Sequence, residues 1–221
     1  MESRVHKPIY LIPGIGADYR IYSKINLPGY DVHHVAWVKP LKDETIEDYA
    51  KRISSQVKHE APVFIGLSFG GLIAAEFHKL FPGSRFILIS TIASRRELPW
   101  YAKLGAAIGL NHWIHKRWFK RSNAIIRWIF SVRYGETRKL FDAILADADA
   151  DFLVWAFDEL LHWKGNGHAR LHHIHGNKDR LIPAGTVSAD IIINGGSHMM
   201  VVDEGEQISE ILLRILRENA F

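Results

Sequence analysis

Ser68, Asp179 and His198 are the three residues whose types, settings and order could together do covalent chemistry. A serine hydroxyl is a poor nucleophile at neutral pH unless a base takes its proton and a third group orients that base. Ser68 lies in Gly66-Leu67-Ser68-Phe69-Gly70-Gly71, between the apolar run Ala61–Ile65 and the helically spaced apolar stretch Leu72–Phe81. A serine pinched between a strand end and a helix start has its Oγ lifted clear of the sheet, and glycines at 66 and 70 avoid collision with the neighbouring turn. Asp179 follows one strand signal and His198 follows the last, so both belong at the edge of the sheet where ligands of open parallel sheets sit. Each also has a plainer reading: Ser68 as a helix N-cap, Asp179 as a turn residue, His198 as a surface-loop histidine. The ordered set of three favours chemistry.

The elements that must position these groups alternate. Pro8–Ile12 reads as a strand ending in the tight loop Pro13-Gly14-Ile15-Gly16, with Asp18 capping a short helix to about Ile25. Asp31–Val38 reads as a second strand, and Asp43-Glu44-Thr45 opens an amphipathic helix to about Lys58. After the Ser68 strand and helix comes the strand Arg85–Ser90. Strands alternating with helices predict an α/β fold with an open, mostly parallel six-stranded sheet and helices on both faces. From 97 to 165 only helical periodicity remains, in the pieces Leu98–Leu110, His112–Val132 and Thr137–Trp163. That block predicts a helical cap insertion between core segments 1–96 and 166–221, and it holds six of the seven tryptophans. The sheet resumes with Arg170–His175 and Asp190–Asn194, and a helix from Asp203 to about Glu218 closes the chain.

Composition narrows the classes. A 48% hydrophobic fraction in 221 residues suits one globular domain, with no apolar run of membrane-spanning length. The polar Met1–Lys7 is no signal peptide, and zero cysteines exclude thiolate catalysis and disulfides, so a cytoplasmic setting is expected. The net charge of +4 is uneven: Arg95–Lys139 carries 11 Lys/Arg against 2 Glu. Its centre, Lys116–Arg121, reads as a solvated helix face or as a weak contact for anionic surfaces or substrates; no nucleic-acid module accompanies it.

With these segments in view, the chain resembles the α/β-hydrolase family over nearly its whole length. The resemblance rests on Leu11–Gly16, Gly66–Gly71, His175-Gly176-Asn177-Lys178-Asp179 with Pro183, and Gly195–His198. It implies that Ser68 is the nucleophile, Asp179 the acid and His198 the base. It further implies an oxyanion hole from the backbone N–H groups of Phe69 and Ile15, with Gly16 as the alternative to Ile15, although Pro13 stands where the family usually has His before Gly. Gly14 and Gly16, with Trp100, Trp128 and Trp155 from the insertion, are expected to bind substrate. The expectation is a serine hydrolase cleaving an apolar ester or related acyl bond without a cofactor, as monomer or homodimer. A lyase or C–C bond hydrolase, or a small-ligand receptor on the same fold, stays open. Neither His173 with His175 nor His112 with His115 has a carboxylate at ligand spacing, so no metal is expected.

Overall fold

The computed structural model describes residues 7–107, 123–133, 135–165 and 171–218. Among these residues six strands, β1 (Ile9–Ile12), β2 (Val32–His34), β3 (Val63–Leu67), β4 (Arg85–Ile89), β5 (Leu171–Gly176) and β6 (Ile191–Ile193), form one sheet in the order β2-β1-β3-β4-β5-β6. Every neighbouring pair is parallel. A parallel sheet is covered on both faces, so its central strands β1, β3 and β4 are largely apolar, and side-chain alternation splits them into two cores. Ile9, Leu11, Ile65, Ile87 and Ile89 join the core on one face, which the closing helix completes with Ile208, Leu212 and Ile215. Tyr10, Ile12, Phe64, Phe86 and Leu88 join the core on the other. There α1 (Ile46–Ile53) supplies Tyr49 and Ile53, and α2 (Phe69–Leu80) supplies Leu72, Ile73 and Phe77.

Between β4 and β5 lie α3 (Trp100–Ala107), α4 (Ala124–Ile129), α5 (Gly135–Asp147) and α6 (Ala150–His162). The single helix expected over Thr137–Trp163 is two. Its apolar spacing runs through the break, but the Asp149 carboxylate accepts from the N–H groups of Asp151 and Phe152 and so starts a new helix. The expected strand Asp31–Val38 shrinks to Val32–His34, because the chain beyond finds side-chain partners. Gln56 bonds both backbone groups of Ala36, and the Tyr49 hydroxyl both of Val38. The helix to Lys58 ends at Ile53 in a 3-10 turn, Ser54–Gln56. After β6 the closing helix comes in two pieces, α7 (Met200–Asp203) and α8 (Gly205–Arg217). Much of the expected helix His112–Val132, with Trp113, Trp118 and the basic run Lys116–Arg121, lies outside the described residues. Among the described residues no helix is long and apolar enough to cross a membrane.

Candidate active site

Ser68 stands between β3 and α2 with φ 51° and ψ −120°, a conformation L-residues seldom adopt. The surroundings over-determine it. Its N–H donates to Ile89 O (2.9 Å), and its carbonyl accepts from Gly71 N (2.8 Å) and Thr91 Oγ1 (2.7 Å). The first turn of α2 is pressed onto the end of β1: a Cβ on Gly70 would overlap the carbonyl oxygens of Ile12 and Pro13, and one on Gly66 the carbonyl of Gly70. Glycine is required at both places by close approach of backbone.

The loops after β5 and β6 bring two more side chains to this turn. Asn177 N donates to Ile193 O (3.1 Å) and Lys178 N to Gly196 O (2.8 Å), while Gly195 N donates to the Asn177 side chain (2.8 Å). Thus clamped, the loops place His198 Nδ1 at 2.7 Å from Asp179 Oδ2 and His198 Nε2 at 3.1 Å from Ser68 Oγ. All three residues are buried. Asp179 Oδ1 also accepts from Ile182 N (2.9 Å), so both carboxylate oxygens are engaged. Because a carboxylate only accepts, Nδ1 of His198 carries the hydrogen and Nε2 is left to accept from the serine hydroxyl.

Several contributors here escape sequence reasoning. His175 Nε2 donates to Ile182 O (2.8 Å) and lies 3.6 Å from Asp179 Oδ2. Burial holds the His175 pKa below the usual histidine value, with the Ile182 carbonyl and Asp179 pulling the other way. Phe130, just after α4, sets its ring edge-on to His198 with centroids 5.6 Å apart. Ser131 accepts from Arg180 N (3.1 Å), and Arg133 Nη1 donates to Gly195 O (2.8 Å), so the α4–α5 connection is tied to both loops. A histidine two residues before the acid loop was the one sequence signal for any of these.

The loop after β1 runs beside the serine. Gly14 packs near the Ser68 side chain, and its carbonyl accepts from Ala17 N and from Trp37 Nε1, both at 3.0 Å. Gly16 adopts φ +65° with Leu153 and Ala148 packed on it. Phe69 N–H is the first donor of α2 and has no acceptor within its own helix. The three tryptophans expected to bind substrate have different settings. Trp100 is 73% exposed, and Trp128 is 61% exposed with the Arg180 guanidinium 5.1 Å from its ring. Trp155 donates to Glu44 O (2.7 Å) and packs 4.4 Å from Tyr49 and 6.0 Å from Phe69, which joins α6 to α1 and α2.

Residues 6–211 match the family described as the alpha/beta hydrolase family. Comparison with curated proteins finds no match. Among solved structures, the fold is similar to a malate-bound thermophilic esterase from Thermogutta terrifontis, at 15% identity and TM-score 0.67, over 96% of this chain and 90% of that one. It is similar to a bromoperoxidase from Bacillus anthracis at 16% identity and TM-score 0.69, over 96% and 92% of the two chains. It is also similar to an esterase from Exiguobacterium antarcticum at 17% identity and TM-score 0.66, again over 96% and 92%.

Proposed function

The chain belongs to the alpha/beta hydrolase family, and from that premise we propose that it is a serine hydrolase cleaving a carboxylic ester or related acyl bond. The observation that carries this reading is the hydrogen-bonded line from Ser68 Oγ through His198 to Asp179. Ser68 Oγ attacks the acyl carbon as His198 Nε2 takes its proton, and Asp179 stabilises the imidazolium and keeps Nδ1–H in place. The tetrahedral oxyanion is held by the N–H groups of Phe69 and Ile15. Its collapse breaks the C–O bond, and His198 returns the proton to the leaving alcohol. Water, deprotonated by His198, then attacks the acyl-serine and releases the carboxylate, restoring Ser68.

The helices between β4 and β5 act, in this reading, as a cap on the site. Phe130 against His198 and Leu153 against Gly16 support it, because both put insertion side chains at the strand ends that carry the chemistry. The substrate-facing wall is then built from such apolar residues rather than from Trp100 and Trp128. The test is a p-nitrophenyl ester series of rising acyl length on wild type and Ser68→Ala. Wild type is expected to turn over the short and medium esters, and the folded variant to fall by ~10³-fold or more. Equal rates in the two proteins would overturn the assignment. Turnover of none of the esters would shift the weight to a lyase, a C–C bond hydrolase or a receptor.

A further inference from the structure

We propose that Asp31, His33 and His59 form a binding site for one zinc-like divalent transition-metal ion, which clamps the edge of the sheet far from Ser68. One potential ligand atom from each of the three residues lies within 4.8 Å of the others. Sequence spacing hides the set, since the fold alone brings position 59 to positions 31 and 33. Asp31 and His33 are two apart on the edge strand and its approach, so they point to one side. His59 comes from the loop ahead of β3, on the far side of β1 from β2.

The two imidazoles are held in place by a single buried side chain. Tyr10 pairs with His33 in the β1–β2 register, and its ring stacks on the His33 ring at 4.8 Å and 19°. Its hydroxyl lies 2.8 Å from His59 Nδ1 and accepts from Lys58 N (3.0 Å). The His33 and His59 rings are 5.1 Å apart. With His59 Nδ1–H donating to Tyr10 Oη, the Nε2 lone pair is free to ligate, the kind of orienting outer bond that metal-bound histidines make. His33 Nε2 is already 2.8 Å from Asp31 Oδ2, and both side chains are exposed enough to part around an ion.

Two nitrogens and one carboxylate oxygen form a donor set suited to zinc, copper, nickel or cobalt rather than to magnesium or calcium, which take oxygen. Donors ~2.1 Å from a tetrahedral zinc lie ~3.4 Å apart, so closing the widest gap by up to about 1.4 Å and parting Asp31 from His33 by about 0.6 Å forms the cluster, with water completing the coordination. The three residues sit at strand starts, whereas Ser68, Asp179 and His198 follow strand ends. The ion is therefore structural. It ties the edge strand to a loop 26 residues on from His33.

The test is zinc titration by calorimetry on untagged, chelator-stripped protein, paired with melting curves. Wild type should bind one equivalent saturably and melt higher with zinc, and the chelator should reverse both. His33→Ala and His59→Ala should each weaken this binding by ~10-fold or more, and the double variant should abolish it. Asp31→Asn, the mildest change to the fold, should weaken it less but measurably. A His112→Ala/His115→Ala control should bind as wild type does, and ester turnover should be the same with and without zinc. Undiminished binding in the His33→Ala/His59→Ala double variant, or magnesium binding as tightly as zinc, would overturn the site. So would no saturable binding by wild type.

Discussion

At the scale of single residues, Asp179 is where the candidate site is most exposed to a one-atom change. Its Oδ2 accepts from His198 Nδ1 and its Oδ1 from Ile182 N, both inside the protein. Asp179→Asn keeps the shape but can present an NH₂ to Nδ1, which selects the tautomer with hydrogen on Nε2. That tautomer cannot take the serine proton. We expect kcat to fall by ~10⁴-fold with KM and the melting temperature little changed. A mutant retaining a tenth or more of the activity would mean that His198 is oriented by something else. Phe130 gives a second test, since its ring edge meets His198. Phe130→Ala should lower activity on the longer esters more than on acetate, read from kcat/KM across the series. A uniform loss across chain lengths would show that Phe130 supports the histidine alone and does not form part of the acyl wall.

At the scale of elements, the turn into α2 depends on backbone meeting backbone. A methyl on Gly70 would overlap the carbonyls of Ile12 and Pro13, which are held in place by β1 and cannot swing away. Gly70→Ala is expected to cost about 3 kcal/mol or more in urea unfolding, whereas Gly185→Ala, with open space around it, should stay within about 0.5 kcal/mol. Equal costs would contradict the close approach. This turn was legible in the sequence because glycines, a strand run and a helix run are all local to it. The parallel sheet and the edge carrying Asp179 and His198 were legible for the same reason: each residue lies in the loop just after its own strand signal. The break between α5 and α6 was not, because apolar spacing continues across it and only the cap at Asp149 decides the register. The early end of β2 was equally hidden, since its replacement partners, Gln56 and Tyr49, come from another element. The placing of Trp100, Trp128 and Trp155 depends on packing between distant segments, which composition alone does not order.

At the scale of the whole molecule, β5 carries an acid-sensitive core. His173 is buried beside His175, ring centroids 5.4 Å apart, and burial above all, with the neighbouring imidazole second, lowers its pKa to about 4. The unfolded chain takes up this proton near pH 6.5, while the native protein refuses it until about pH 4. Stability is therefore full above pH 6.5 and declines as the pH falls towards 4, by about 3 kcal/mol for this residue. His173→Gln should flatten that slope by close to one proton in urea midpoints taken across the window, and an unchanged slope would place the acid sensitivity elsewhere. The activity tests presuppose an activated Ser68, and that is measured most directly by labelling with a fluorophosphonate and reading the intact mass. One adduct is expected on wild type and none on folded Ser68→Ala. No adduct on folded wild type, or an equal adduct on the variant, would contradict that activation.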